Sequence, residues 1–185
     1  MATTTAIPTS LITWRIDPAH SSAEFKVKHM MIANVKGKFS GLSGVLSLDE
    51  GNVTRSSVEA EIPVATLSTG DAQRDGHLKS ADFFDAEKFP TMAFRSTHVE
   101  SASKTDFSVT GDLTLHGVTQ TVTFAVSDVS EPAMDPWGNL RIGLSASAKI
   151  NRKDFGLTWN SPLETGGVLV GDEVAIMLDV QFIKA

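Results

Sequence analysis

The sequence predicts an all-β protein of eight or nine antiparallel strands with one short helical insert, and three observations carry that prediction. Residues 22–29, 56–62, 91–99, 107–115, 118–126, 140–150 and 174–182 each place apolar side chains two positions apart, the period of a strand with one face in a core and one in water. Turn-forming groups such as GLSG, DEGN, HGVT and DPWGN separate the segments. A single stretch, residues 68–91, breaks the rhythm.

Taken in order, the Thr-rich residues 1–12 have no strand period and are expected to be frayed, leaving residues 13–185 as one domain. Asp17-Pro18-Ala19-His20 reads as a turn fixed by its aspartate and histidine. From Ala23 through Phe25 and Val27 to His29 the apolar positions alternate with Glu24, Lys26 and Lys28, so His29 is expected to face inward near a strand end. Short runs at 35–39 and 45–48 add two strands to the clear seven. In the insert, Ser68 is the expected cap of a short helix with Asp71 in its first turn, and Asp82 caps a second turn that Phe89-Pro90 ends; the helical part is expected within about 70–89. His116-Gly117 is the sharpest hairpin turn, since Gly adopts positive φ without strain and His tolerates it.

Eight or nine amphipathic antiparallel strands either pair as two sheets or close as a barrel, and the alternation does not choose between them. With 22 acidic against 16 basic residues, the latter scattered, nucleic acid is not an expected partner. No run approaches the roughly 20 apolar residues of a membrane-spanning helix. The first 14 residues lack both the basic and the long apolar part of a secretory leader. The chain as written is therefore expected in the cytoplasm, or in the periplasm if a leader has been removed. There is no cysteine, hence no disulfide or thiolate chemistry.

Four motifs then fall in order: WRIDPAHSSAEFKVKH with GKFSG, RDGHLKSADFFDAEKFPTMAF, GDLTLHGVTQTVTF and SASAKINRKDFGLTW. Together they resemble the YceI-like family of polyisoprenoid-binding proteins from about Trp14 to the C-terminus. The resemblance implies a lipocalin-like, eight-stranded antiparallel β-barrel with a long apolar pore. It also implies an isoprenoid chain as ligand, such as a polyprenyl lipid or isoprenoid quinone, and no cofactor. A bacterial lipid-binding or stress-response protein is the class it suggests.

The expected ligand-binding residues are Phe25, Val27, His29, Phe39, Phe83, Phe84, Phe94, Leu113, Phe124, Leu144, Ala146, Trp159 and Ile176. Read from parity alone, such inward sets are as compatible with packed core as with a pore. The small residues Ala146 and Ala148 beside Leu144 leave room that either bulky neighbours or a guest must fill. Around INRKDFGLTWN, basic and acidic residues sit beside Phe155 and Trp159, an arrangement that fits a cavity mouth or a salt-bridged strand end.

The five histidines show no HxH, HExxH or HxxxH spacing, so no metal site is expected. Neither a GxSxG elbow nor a phosphate-binding glycine loop is present. The acid-rich segment Asp71, Asp75, Asp82, Asp85 and Glu87 reads as a solvated face. The expectation is thus non-catalytic transport, storage or sequestration of a long apolar molecule, with a homodimer possible. Its rivals are an enzyme acting on that lipid through Asp75, His77 or Asp154, and a stress-response protein acting through protein contacts.

Overall fold

The computed structural model describes residues 10–185; the expected fraying of residues 1–9 lies outside it. Its strands, in chain order, are β1 (Leu11–Ile16), β2 (Ser22–His29), β3 (Ala33–Phe39), β4 (Ser43–Asp49), β5 (Ser57–Pro63), β6 (Thr91–Ser101), β7 (Phe107–Leu115), β8 (Val118–Ser127), the two-residue β9 (Ala133–Met134), β10 (Leu140–Asn151) and β11 (Val170–Lys184). One helix, α1 (Ala72–Lys79), sits between β5 and β6. Neighbours pair in the order β11-β1-β4-β5-β6-β7-β8-β10, and β10 pairs again with β11. Eight antiparallel strands therefore close on themselves, which leaves sheet edges only at β3 and β9.

The long β11 makes closure possible. One of its edges pairs with β10 from Glu173 to Ile183. Its other edge takes β2 over Val170 to Asp179 and β1 over Phe182 to Lys184. Between β1 and β2 the chain steps sideways at Asp17, whose Oδ1 accepts from Ala19 N–H at 3.0 Å and whose Oδ2 accepts from His20 Nδ1 at 2.8 Å. The expected Asp17-His20 turn is thus present. A second step, with Gly41 at φ 74°, separates β3 from β4. The β2–β3 hairpin consequently extends beyond the ring on the β11 edge.

Two boundary expectations are corrected. Leu11 and Ile12 are not frayed but belong to β1, where they pair with Asp49 and Leu48; three apolar positions among threonines give too short a pattern to show it. The cap of α1 is Asp71, whose Oδ1 accepts from Arg74 N–H at 2.9 Å. Ser68 instead makes a backbone bridge with Lys38, its N–H donating to Lys38 O and its carbonyl accepting from Lys38 N–H, each at 2.9 Å. That bridge ties the insert to β3 before the helix begins. The rest of the insert, from Ser80 to Pro90, runs as turns. The His116-Gly117 turn has positive φ at both residues, 54° and 71°, as the hairpin requires.

Three apolar clusters share the barrel interior. One centres on Phe83, Phe124, Ala146, Phe155 and Leu157, a second on Trp14, Ile142, Val180 and Phe182, and a third joins Ala23, Phe39 and Leu67.

Candidate functional site

Inside the ring lies a cavity of about 730 Å³, within the range of pockets that enclose one small-molecule ligand. Its wall is alternate side chains of the strands: Trp14 and Ile16 from β1, Phe94 from β6, Phe124 from β8, Leu144 and Ala146 from β10, Ile176 to Phe182 from β11. Phe94 and Phe124 meet edge to face with centroids 5.1 Å apart. Such walls follow from the two-residue period, which sends every second side chain to the same face.

The two ends differ. At the end where β4, β6 and β8 finish, the lining becomes polar: Glu50, Ser56, Lys104, Thr105, Ser130 and Glu131. At the other end the insert acts as a stopper, with Leu78, Phe83 and Phe84 contributing to the lining. Its two ends are held together by Val64 N–H donating to Pro90 O at 2.8 Å. Behind Phe83, Trp159 and His77 complete an aromatic cluster, His77 meeting Phe83 and Trp159 edge to face at centroid distances of 5.1 Å and 4.7 Å.

Arg152 brings a buried charge to the wall. The residue is 5 % exposed, and burial pushes its pKa down against the attraction of Asp172. Its Nε donates to Gly171 O at 2.8 Å, and its Nη1 to Leu157 O at 2.7 Å and Trp159 O at 2.8 Å. Nη2 donates to Val170 O at 3.3 Å and lies 3.6 Å from Asp172 Oδ1. The guanidinium therefore ties β10, the following loop and β11 together. Both readings of INRKDFGLTWN have a counterpart: Arg152 and Lys153 meet Asp172 at the strand end, while Ile150, Arg152 and Leu157 contribute to the cavity wall.

Of the thirteen expected ligand-contacting residues, Phe25, Val27, Phe39, Phe83, Phe84, Phe94, Leu113, Phe124, Leu144, Ala146 and Ile176 line the cavity. His29 and Trp159 stand outside that lining. His29 is half-buried where β2 ends, opposite Val170, and Trp159 packs behind the stopper. Ala148 is buried in the core cluster without reaching the lining. Sequence reasoning misses Trp14, Ile16, Leu42, Leu46, Ala60 and Ile142, which also form the wall. Most of these lie on short strands or next to a chain step, where a run of alternation is too brief to register.

The groups that could serve a lipid-modifying enzyme are elsewhere. Asp75 accepts from Thr69 N–H at 2.8 Å and from Thr69 Oγ1 at 2.6 Å, which holds its carboxyl below the usual range despite some desolvation. His77 Nε2 donates to Asp82 Oδ2 at 2.8 Å, and the Asp154 carbonyl accepts from Gln120 Nε2 at 2.9 Å. None of these three residues is in the cavity lining. Among the described residues no cluster of three potential metal ligands occurs, and no helix is long and apolar enough to cross a membrane.

A closed eight-stranded antiparallel barrel around an apolar cavity, stoppered at one end by a short helix, defines a lipocalin-like barrel. The YceI-like domain model matches residues 14–182, and the chain belongs to the YceI-like family. The UPF0312 protein SA2479 of Staphylococcus aureus is 37% identical over 168 residues, covering 90% of this chain and 94% of that one. Among solved structures, Burkholderia cenocepacia BcnA is similar with a TM-score of 0.78 at 26% identity, covering 90% of this chain and 98% of its own. The Campylobacter jejuni YceI protein gives 0.72 at 30% identity over 85% and 90%. A polyisoprenoid binding domain from Saccharophagus degradans shares the fold, with a TM-score of 0.65 at 15% identity over 94% and 99%.

Proposed function

We propose that this protein binds a single long-chain isoprenoid lipid in the barrel without transforming it. The observation that carries the reading is the cavity itself: about 730 Å³, walled by aliphatic and aromatic side chains and polar chiefly at its rim. Each methylene moved from water into such a wall contributes about 0.8 kcal/mol, so a chain of many carbons is held by surface matching alone. A closed barrel needs little ordering on binding, which preserves that gain. The family membership, and a fold neighbour that is a polyisoprenoid binding domain in S. degradans, are in line with this chemistry.

The head group is the finer part of the proposal. The rim offers two carboxylates, Glu50 and Glu131, against one ammonium, Lys104. At the far end, the Arg152 donors are engaged by backbone carbonyls. A diphosphate would meet little compensating charge at either place. A neutral head such as a polyprenol or quinone suits the rim, its oxygen reached by Lys104, Thr105 or Ser130.

The test is organic extraction of the purified full chain followed by mass spectrometry, with uptake of polyprenol and of isoprenoid quinone from neutral vesicles measured on the stripped protein. One lipid per chain, recovered chemically unchanged after incubation, is the expected result. A stripped protein that takes up neither lipid contradicts the proposal.

A further inference from the structure

The β2–β3 hairpin combines two features that the cavity does not explain. Its tip, Met30-Met31-Ile32, exposes three large apolar side chains in succession at 39 %, 58 % and 80 %. Met30 and Met31 both have positive φ, 51° and 59°, and the turn closes by Ile32 N–H donating to His29 O at 3.2 Å. A tight turn with two positive φ values ordinarily carries Asn-Gly, because side chains branching from such a backbone are strained. This chain instead places two methionines there. Met30 N–H donates to Leu169 O at 2.7 Å, which ties the turn to the segment preceding β11, where Val168 is also exposed.

Behind the tip the outer face of the hairpin is basic. Lys26, Lys28, Lys36 and Lys38 share that face with Glu24 as the sole acid of the two strands, in a chain of net charge −6. Lys26 pairs directly opposite Lys36, a like-charge placement that weakens a sheet when nothing else compensates. Among the described residues, the lysine ion pairs are Lys149 with Glu173 and Lys153 with Asp172; the four hairpin lysines form none.

From the apolar tip and its lysine collar we infer that the β2–β3 hairpin docks the protein on an anionic phospholipid bilayer. Methionine and isoleucine side chains enter the boundary between head groups and acyl chains, while the lysines behind them meet lipid phosphates. Charge complementarity decides the occupant: a neutral apolar partner would leave four unpaired lysines beside it, and a second copy of this hairpin would set the lysines against each other. The inference does not depend on what fills the barrel.

Flotation of the full chain with vesicles tests it, using phosphatidylcholine alone and phosphatidylcholine with an equal part of phosphatidylglycerol. The protein is expected to float with the anionic vesicles and not with the neutral ones, and to be released as salt shortens the reach of the charges. Lys26→Gln with Lys36→Gln is expected to weaken partitioning about fivefold per lysine without lowering the melting temperature, since it removes a like-charge pair. Met31→Ser with Ile32→Ser is expected to abolish flotation, whereas Trp137→Ser at the opposite end leaves it unchanged. Three results overturn the inference: no flotation with anionic vesicles, flotation that the hairpin substitutions do not alter, or hairpin-dependent self-association in sedimentation without vesicle binding.

Discussion

The ring of Phe25 occupies the space that a Cβ on Gly37 would take, directly across the β2–β3 pair. Gly37 has an ordinary strand conformation, so its small size and not its backbone freedom is what the position uses. A methyl there drives the ring away from its contact with Phe39, whose centroid is 5.8 Å off, and into the cavity. Gly37→Ala is expected to cost about 1 to 3 kcal/mol, the usual range for overpacking. Adding Phe25→Leu recovers part of that loss, and a denaturation double-mutant cycle checks the coupling.

Gly117 is held by two constraints at once. Its φ is 71°, and a Cβ would approach Phe89 Cε1 to 2.5 Å. Gly51 has neither, its nearest neighbour for a Cβ being Asp49 Oδ1 at 3.4 Å. Gly117→Val is therefore expected to lower the melting temperature by clearly more than Gly51→Val. Equal shifts would contradict the positive-φ turn at Gly117.

Arg152→Met is expected to destabilise the fold by about 3 kcal/mol or more. It leaves the carbonyls of Leu157, Trp159, Val170 and Gly171 without their shared donor. Arg152→Lys is expected to restore little, because an ammonium cannot reproduce the fork of donors. Urea denaturation of both variants is the measurement.

Acid sensitivity is expected from the Asp17–Arg141–Asp135 group. The Arg141 guanidinium, helped by His20, lowers the Asp17 carboxyl to about 2. At Asp135 burial opposes ionisation, but Arg141, Asn139 and the Trp137 N–H outweigh it, and its pKa is lowered too. An unfolded aspartate titrates near 4. Folded carboxyls with depressed pKa values stabilise the protein above the unfolded value and lose that contribution as pH falls toward the folded one. The melting temperature is expected to drop between about pH 4 and pH 2, and Arg141→Met is expected to flatten that drop.

The strands were legible because alternation is a local property: residues 107–115 and 118–126 with their His-Gly turn coincide with β7 and β8 up to one terminal residue. β1 was not, since Leu11 and Ile12 follow a threonine-rich start and gain their order from β4. Parity locates Phe94, Phe124 and Ala146 on the inward side, but whether an inward face is filled or hollow depends on how eight strands close, and closure is set by pairings across the chain such as β10 with β11. His29 follows the parity of Phe25 and Val27, yet the hairpin carries it past the end of the cavity. Trp159 sits in a loop, where no period exists to place it.

If the barrel interior receives a lipid chain, Ala146 is the position at which a larger side chain must exclude it. Ala146 lines the cavity, with Leu178 and Val126 beside it on the neighbouring strands. A tryptophan at this position fills volume that the ligand would otherwise occupy. The measurement is uptake of polyprenol or quinone by delipidated wild type and Ala146→Trp, with the melting temperature of each stripped protein alongside. Saturable uptake by the wild type is expected, with its loss in the variant at a nearly unchanged melting temperature. A wild type that takes up no lipid, together with a variant weakened by the 1 to 3 kcal/mol typical of overpacking, would contradict it.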